Sequence, residues 1–225
     1  MTKITAIIPV KGKSNRIKNK NLKKFHNSSL YEVKLDQLSK CKNFDEIIVS
    51  SESEKILKIA RKKNFKVHKR NKKFSTDHVP MSDVYKNVAS EIDCENIAWI
   101  NVTNPLVETK DYDEAAEKFK SINKKKYDCL LSVFEIQDYF IFKNKPINFK
   151  RTPWPRSQDL KGLLSLSFAI NILKRENMIK WRSCVGKKPF YYKLSQLNSW
   201  DIDFIHDFKF CEYIYKQKIT KKLKI

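Results

Sequence analysis

The chain has 225 residues, of which 41% are hydrophobic, and its 47 Lys and Arg against 25 Asp and Glu give a net charge of +22. This length suits a single domain with a core of its own, and 3 Gly and 7 Pro are too few for a collagen-like or Gly/Pro-rich disordered chain. The longest apolar runs fall far short of the ~20 residues that span a bilayer, and the opening residues run into a basic loop, which is unlike a signal peptide.

Predicted strands and helices alternate along residues 1–133. Short apolar, β-branched runs predict the strands, and apolar residues at helical spacing predict the helices between them. This alternation is typical of an α/β protein with a mostly parallel sheet covered by helices on both faces. In chain order we predict a strand at 4–9, a helix at 28–41, a strand at 46–50, a helix at 53–64, a strand at 66–68, a helix at 82–92, a strand at 97–101, a helix at 112–121 and a strand at 129–133.

The pattern changes after residue 133. Residues 134–200 contain four of the seven prolines and read as strands and loops, ahead of a closing helix that we predict at 204–216. We interpret 134–200 as an inserted region that serves as a lid or in dimerisation. Because no low-complexity linker separates two halves, we expect residues 1–225 to form one domain.

A basic turn, residues 11–21, follows the first predicted strand. Open α/β sheets bind ligands beyond the carboxyl ends of their strands, so this turn is a candidate site. Gly12 permits a tight turn, Ser14 supplies a hydroxyl, and backbone N–H groups with nearby cations form a cradle for polyphosphate. A solvated loop in a Lys-rich chain is the alternative. The five cationic residues of the turn are Lys11, Lys13, Arg16, Lys18 and Lys20.

Two aspartates, Asp201 and Asp203, precede the last predicted helix. Carboxylates two residues apart on an extended segment point to the same side, and their repulsion is costly unless a cation neutralises it. Mg²⁺ suits such a pair, because it keeps several waters and takes phosphate oxygens as further ligands. Helix capping by Asp203 and Asp207 is the alternative interpretation.

Two other polar groups are weaker candidates for substrate contacts. Asn101 and Thr103 lie at the end of the fourth predicted strand, where they either meet a substrate or form a turn. Arg156 and Gln158 lie within 134–200, and a guanidinium there is suited to hold a carboxylate or phosphate. The four histidines lack zinc-ligand spacing, and no G-x-S-x-G motif indicates a serine hydrolase.

The charge and the cysteines bear on partners and compartment. Of the 47 basic residues, 7 are Arg and 40 are Lys. Readers of bases and phosphates rely on Arg, and here Lys is scattered over nearly every predicted helix, which favours a solvated surface over a nucleic-acid interface. The five cysteines are widely spaced and form no C-x-x-C pair, which indicates reduced, core-filling thiols in a cytoplasmic protein.

Taken together, these motifs resemble those of the acylneuraminate cytidylyltransferase family, which comprises the CMP-sialic acid synthetases and the related CMP-Kdo synthetases. That family opens with I-I-P-A-R-x-G-S-K-x-x-x-x-K-N, and residues 7–21 here read I-I-P-V-K-G-K-S-N-R-I-K-N-K-N. The family's R-P-x-x-L-x-x-D stretch corresponds to 70–77, its Q-P-T-S-P loop to 101–105 and its D-I-D to 201–203. The matches keep their order along nearly the whole chain.

The resemblance implies a three-layer α/β/α, Rossmann-like nucleotidyltransferase fold, usually as a homodimer. It also implies transfer of CMP from CTP to the hydroxyl of an acidic sugar, with release of pyrophosphate. Such a transfer needs mainly alignment and charge neutralisation, which a basic loop and Mg²⁺ supply. The residues that match nucleotide or triphosphate contacts are Lys11, Gly12, Ser14, Arg16, Lys20, Asn21 and Arg70, with Arg70 at the cytidine. Asp201 and Asp203 match the metal-binding pair, and we expect Lys20 and Asp203 to take part in catalysis.

Three departures from the family pattern concern the substrates. Lys11 replaces an Arg and offers a point charge instead of a fork. Asn101 replaces a Gln, and Ser167-Phe168 replaces an N-G pair near the sugar. We therefore predict a Mg²⁺-dependent cytidylyltransferase for a nonulosonic or other keto-acid sugar in surface-glycan synthesis. The alternatives are a nucleotidyltransferase of the same fold with another acceptor or NTP, and a non-catalytic nucleic-acid-binding protein.

Overall fold

The computed structural model describes residues 2–220, which form eleven strands and six α-helices. The strands are β1 (Ile4–Pro9), β2 (Lys24–Phe25), β3 (Ser28–Ser29), β4 (Glu46–Ser51), β5 (Lys66–Lys69), β6 (Asn96–Trp99), β7 (Cys129–Ile136), β8 (Ile141–Phe142), β9 (Lys145–Pro146), β10 (Leu163–Lys174) and β11 (Pro189–Lys193). The helices are α1 (Leu30–Leu38), α2 (Glu54–Lys62), α3 (Met81–Glu91), α4 (Thr109–Ser121), α5 (Arg175–Trp181) and α6 (Ile205–Ile219).

Seven of these strands make one sheet in the order β11-β7-β10-β6-β1-β4-β5. Strands β1, β4, β5 and β6 pair in parallel, as do β7 and β11, whereas β10 is antiparallel to both of its neighbours. The predicted mostly parallel sheet is therefore confirmed. Because β1 lies between β4 and β6, the loops that follow these three strands meet at one edge of the sheet. The predicted site residues of the basic turn and of the loop after β6 lie at this edge.

Helices cover both faces of the sheet, which confirms the three-layer arrangement. Alternate residues of a strand point to opposite faces, and β1 shows this clearly. Ile4, Ala6 and Ile8 belong to the core cluster that includes buried residues of α1, α2, α4 and α6. Ile7 belongs to the second cluster, with buried residues of α3 and α5.

Helix capping explains where α4 and α1 begin, at residues that differ from the predicted starts. Helix α4 begins at Thr109, three residues before the predicted start, because Glu108 and Asp111 form a capping box in which the Glu108 N–H donates to Asp111 Oδ2 over 2.8 Å. Helix α1 begins after Ser29, whose Oγ accepts from the Glu32 N–H over 3.3 Å. The two residues before α1 pair with β2 as strand β3 instead of joining the helix.

The segment 134–200 is only partly an insertion. Strands β10 and β11 lie within the main sheet, and Met178 of α5 is buried in its second core cluster. Residues 137–162, which carry the small β8–β9 hairpin, lie outside that sheet. A role for this smaller region, which we call the arm, as a lid or dimerisation element stays a prediction.

All five cysteines fall within the described residues, and all are unpaired thiols; Cys129, Cys184 and Cys211 are buried. Across residues 2–220, no helix combines the length and the apolar character needed to cross a membrane.

Candidate active site

A cleft of about 670 Å³ opens at the carboxyl edge of the sheet, and it brings the basic turn and the two aspartates together. Its lining includes Lys11, Ser14, Arg16, Lys20, Asn21, Arg70, Asn101, Thr103, Asp201 and Asp203. The contact between the two segments is direct. Arg16 Nη1 lies 2.5 Å from Asp203 Oδ1, and the Lys20 ammonium donates to the carbonyl oxygen of Ile202.

The basic turn is held in shape by its own polar groups. Ser14 Oγ donates to the carbonyl oxygen of Ile17 and accepts from the Lys20 N–H, both over 2.7 Å. The Asn21 amide donates to the Lys11 carbonyl oxygen over 2.9 Å. These bonds fix the loop without using its cationic side chains.

A buried ion pair supports the turn from below. Arg70 is only 3% exposed and donates through Nη2 to the Val10 carbonyl oxygen over 3.0 Å and to Glu52 Oε2 over 3.3 Å. Glu52 Oε1 accepts from the Gly12 N–H over 2.7 Å. Burial opposes ionisation of Glu52, but the Gly12 N–H, further hydrogen bonds and the Arg70 charge lower its pKa. Arg70 thus lines the cleft but mainly holds the turn, and its predicted contact with cytidine stays a prediction.

Gly12 is required at this position because of a close approach. A Cβ added there would lie 2.7 Å from Ser53 Cβ, closer than side-chain atoms pack. The turn therefore contacts the loop between β4 and α2 through the bare backbone, which is what the Gly12–Glu52 hydrogen bond needs.

Lys11 and Asn15 face a second acidic residue, Asp77. Lys11 Nζ lies 3.3 Å from Asp77 Oδ1 and donates to the Thr76 carbonyl oxygen over 3.2 Å, and the Asn15 amide also donates to Asp77. The Lys11 side chain is 33% and the Asp77 side chain 59% exposed to solvent. A ligand phosphate can therefore take Lys11 at small cost, since exposed ion pairs contribute little.

Among the ionisable groups that line the cleft, burial shifts the pKa values of Lys20 and Asp201, as it does those of Arg70 and Tyr85. Desolvation lowers the pKa of Lys20, which is only 9% exposed, while the charge of Asp201 opposes that shift. Asp201 is exposed at the cleft, and partial desolvation of its carboxylate by the surrounding protein raises its pKa. The nearby Asp203 charge raises it further, whereas a Thr103 hydrogen bond and Lys20 lower it.

Asp207, and not Asp203, caps the last helix. Asp207 Oδ2 accepts from the Phe204 N–H over 2.8 Å and from the Asp203 N–H over 3.1 Å. Burial opposes its ionisation, but these two backbone N–H groups lower its pKa. Because the cap is formed by Asp207, the side chains of Asp201 and Asp203 are left facing the cleft.

These two carboxylates suit a hard divalent cation. Desolvation is the main cause of the raised pKa of Asp201, and the charge of Asp203 adds to it; a bound cation relieves this repulsion. Within residues 2–220 no group of three or more His, Cys, Asp or Glu side chains is arranged to hold a metal. Two carboxylates without further protein ligands fit Mg²⁺, which completes its shell with water and substrate phosphate oxygens.

The loop after β6 is hydrogen-bonded to two other segments of the cleft. The Asn101 amide donates to the Phe168 carbonyl oxygen over 3.2 Å, and the Thr103 carbonyl oxygen accepts from the Ile202 N–H over 2.9 Å. Asn104 is fully buried, and its amide lies within 3.4 Å of carbonyl oxygens of Ser167, Ser199 and Trp200. The predicted residues Asn101 and Thr103 therefore line the cleft and also hold its walls together.

Arg156 and Gln158 are not brought into the cleft. Both lie in the arm, where Arg156 makes two hydrogen bonds of 2.8 and 2.9 Å to Asp159 and is exposed to solvent. The Arg156 guanidinium does bind a carboxylate, as predicted for an arginine, but the carboxylate is that of Asp159 in the same arm and not that of a substrate. Their predicted substrate contacts find no support in the geometry of this chain.

Three residues of the site, Glu52, Asp77 and Asn104, have no role predicted from the sequence, and Phe168 is predicted only as a departure from the family pattern. Glu52 directly follows β4, the neighbour of β1, so its place at the carboxyl edge was a usable signal. Asn104 gave no such signal, because its three acceptors are 63, 95 and 96 residues away along the chain.

Comparison with known proteins gives concordant results. The family model described as "Cytidylyltransferase" matches residues 5–183. The chain is 26% identical to post-translational flagellin modification protein B of Campylobacter coli over 97% of both chains. It is 28% identical to pseudaminic acid cytidylyltransferase of Campylobacter jejuni over 93% of this chain and 95% of that protein. The structure of CMP:2-keto-3-deoxy-manno-octonic acid synthetase complexed with CTP superposes with a TM-score of 0.72 at 11% identity, over 96% of this chain and 100% of the other.

Proposed function

The chain belongs to the cytidylyltransferase family of CTP-dependent enzymes, and from this premise we propose that it transfers CMP from CTP to an acidic keto sugar and releases pyrophosphate. The observation that carries the proposal is the convergence of the basic turn and the Asp201–Asp203 pair on one cleft. The named acceptors of two similar proteins, pseudaminic acid and 2-keto-3-deoxy-manno-octonic acid, are both acidic sugars and support this choice of acceptor.

The cleft provides alignment and charge neutralisation for the transfer. The triphosphate binds along the basic turn, where backbone N–H groups and Lys11, Arg16 and Lys20 neutralise its charge. Arg16 exchanges its exposed ion pair with Asp203 for a phosphate oxygen. Lys20, already fixed to the Ile202 carbonyl, keeps its ammonium between the triphosphate and the aspartates.

Asp201 and Asp203 would hold Mg²⁺, which when bound supplies charge neutralisation at the phosphates. Both aspartates also line a second pocket beside the cleft, so the pair stands at the boundary between the nucleotide and the space left for an acceptor. We assign to Asp203 the acceptance of the proton from the attacking sugar hydroxyl, a role that requires proximity to that hydroxyl.

The proposal extends to assembly and compartment. The arm exposes large apolar side chains, among them Phe142 at 63% and Trp154 at 64%, and an exposed apolar patch of this kind suits a homodimer contact. The five unpaired thiols favour the cytoplasm. The similarity to a flagellin modification protein favours a role in decorating cell-surface structures.

Pyrophosphate release measured over a panel of the four common NTPs and several sugar acids tests the proposal. We expect release with CTP and a keto-acid sugar, dependent on added Mg²⁺. Release with another NTP or a neutral acceptor would support a nucleotidyltransferase of the same fold with different substrates. No release with any pair, together with DNA or RNA binding that falls steeply with salt, would replace the proposal by nucleic-acid binding.

A further inference from the structure

Asn104 forms a buried contact between the loop after β6 and the segment that carries the aspartate pair. Its side chain is fully buried, and its amide nitrogen lies 3.4 Å from the Ser199 carbonyl oxygen and 3.3 Å from that of Trp200. A third acceptor, the Ser167 carbonyl oxygen of β10, lies 3.4 Å away. Three carbonyl oxygens around one nitrogen fix the orientation of the amide, because the reversed orientation would bring its own oxygen against them.

These contacts restrain the backbone that leads directly into Asp201. The restraint continues past that residue, since the Ile202 N–H donates to the Thr103 carbonyl oxygen over 2.9 Å and the Ile202 carbonyl oxygen accepts from Lys20. Thr103 and Asn104 therefore hold the backbone on both sides of Asp201. A carboxylate on a restrained backbone keeps its position relative to the basic turn, which is what a preorganised site requires.

Lys34 of α1 supports Asn104 from the core. The lysine is fully buried, and its ammonium donates to the Asn104 carbonyl oxygen over 2.9 Å and to the Tyr112 hydroxyl of α4. Because burying an ammonium is costly unless it is hydrogen-bonded, moving Asn104 away from this lysine is unfavourable. We call Lys34 and Asn104 together the clamp.

The clamp is a feature of this chain's own sequence. The family's Q-P-T-S-P loop has Ser where Asn104 stands, and its N-G pair has Asn where Ser167 stands. These two contacting positions thus carry Asn and Ser in the opposite order here. A serine hydroxyl offers one donor, whereas the asparagine amide offers two on a longer side chain, so Asn104 holds the aspartate segment more firmly than a serine would.

We propose that the clamp positions Asp201 and Asp203 for the transfer, with Asn104 and Lys34 as positioning residues that do not touch the substrates. Asn104 acts through the backbone of residues 199–202, and Lys34 acts through Asn104. Neither residue lines the cleft, whereas the basic turn that holds the nucleotide does. Loss of the clamp should therefore lower turnover more than it weakens CTP binding. The inference rests on the proposed function, since it takes the two aspartates to act in the transfer.

Hydrogen exchange followed by mass spectrometry on the ligand-free protein tests the clamp without turnover. In Asn104→Ser, the peptide that contains Ile202 should exchange at least about tenfold faster, because its backbone loses the contacts of the amide. Serine is the residue of the family pattern at this position, so this variant should fold. Asn96→Ser is the matched control, since Asn96 is a buried asparagine at the start of β6 whose amide donates to the Lys3 carbonyl oxygen. Unchanged exchange in Asn104→Ser, or an equal increase at Ile202 in Asn96→Ser, would overturn the proposal.

Kinetics distinguish positioning from a merely structural role. Asn104→Ser and Lys34→Met should each lower kcat about 10–100-fold, the scale of a misplacement of about 1 Å, and should change KM for CTP by less than about threefold. Because Lys34 acts through Asn104, the double variant should lose no more than the more impaired single variant. Additive losses, or a rise in KM for CTP larger than the fall in kcat, would contradict the proposal. Absence of CTP-dependent pyrophosphate release from the wild type would instead reject the proposed function and leave the exchange result standing.

Discussion

At the scale of single residues, three neighbouring aspartates of the site have different roles. Asp207 is committed to the backbone of residues 203 and 204, and Asp201 is tied to Thr103. Asp203 has a half-exposed ion pair with Arg16 as its side-chain contact. Since exposed ion pairs contribute about 0–1 kcal/mol to stability, the carboxylate of Asp203 is available for chemistry and matters little for folding.

The first prediction follows from this separation of roles. Asp203→Asn should lower kcat by about 10²–10⁴-fold, the contribution of a positioned general base, while the melting temperature stays that of the wild type. Asp159→Asn is the matched control, because Asp159 forms a comparably exposed pair with an arginine outside the cleft. Unchanged turnover in Asp203→Asn would remove Asp203 from the reaction.

Lys20 should act on the nucleotide more than on the sugar. Replacing it by Ala removes a charge-assisted contact worth about 1.5–3 kcal/mol, so CTP binding should weaken about 10–100-fold. Lys18 belongs to the same turn but is exposed and outside the cleft lining, so Lys18→Ala serves as the control. Steady-state KM values for CTP and sugar separate the two effects, and a larger rise for the sugar would misplace the phosphate cradle.

Which site residues the sequence reveals depends on how local their signal is. The basic turn and the D-I-D segment are short motifs beside strand and helix ends, so sequence reasoning identified them and both line the cleft. Arg156 carried no positional signal of that kind, and its guanidinium is used by Asp159. Phe168 is a departure from the family's motif that the sequence reveals. Its left-handed backbone lies at the register shift between β10 and β7, and the neighbouring residues in the sequence do not predict it.

At the scale of elements, a buried lysine joins α1 to α4 and to the loop after β6. Lys34 of α1 is fully buried, and its ammonium donates to the Asn104 carbonyl oxygen over 2.9 Å and to the Tyr112 hydroxyl. Asn104 in turn donates toward the segment that precedes Asp201. The packing of two helices is thereby linked to the position of the aspartate pair.

This lysine predicts a pH dependence of stability. Burial lowers the pKa of Lys34 to about 7, while in the unfolded chain the side chain keeps its ordinary pKa of 10.5. Between these values the unfolded state binds the extra proton, so the Lys34 contribution to stability rises as the pH rises from about 7 toward 10.5.

Lys34→Met removes that titration but keeps most of the side-chain volume. The melting temperature of the wild type minus that of Lys34→Met should therefore increase between pH 7 and pH 10, in buffers of equal ionic strength. Lys63 is an exposed lysine that pairs with Asp36 outside the core, so Lys63→Met serves as the control. The melting temperature of the wild type minus that of Lys63→Met should not change between pH 7 and pH 10. A constant or falling difference for Lys34→Met would show that Lys34 remains charged in the folded protein.

Secondary structure was more predictable than strand pairing. The strands β1, β4, β5, β6 and β7 and the helices between them follow from local apolar patterns, and their ends lie within three residues of the predicted ones. The place of β10 between β6 and β7, antiparallel to both, depends on partners 27 or more residues away and left no local trace. The predicted insertion was consequently too long.

At the scale of the whole molecule, one sheet edge gathers segments from the two ends of the chain. Arg16 and Asp203 are 187 positions apart in sequence and 2.5 Å apart in space. The fold achieves this because β1 lies next to β6, whose following loop accepts the Ile202 N–H at Thr103. Strand order, and not the sum of the charges, thus places cations and carboxylates around the same cleft.

A crystal structure with CTP and Mn²⁺, in which anomalous scattering locates the metal, examines this convergence in one measurement. We expect a single metal peak at the carboxylates of Asp201 and Asp203, with triphosphate oxygens also within hydrogen-bonding distance of Lys20 and Arg16. A triphosphate bound to the basic turn with the metal elsewhere, or a nucleotide outside the cleft, would show that the two segments serve separate purposes.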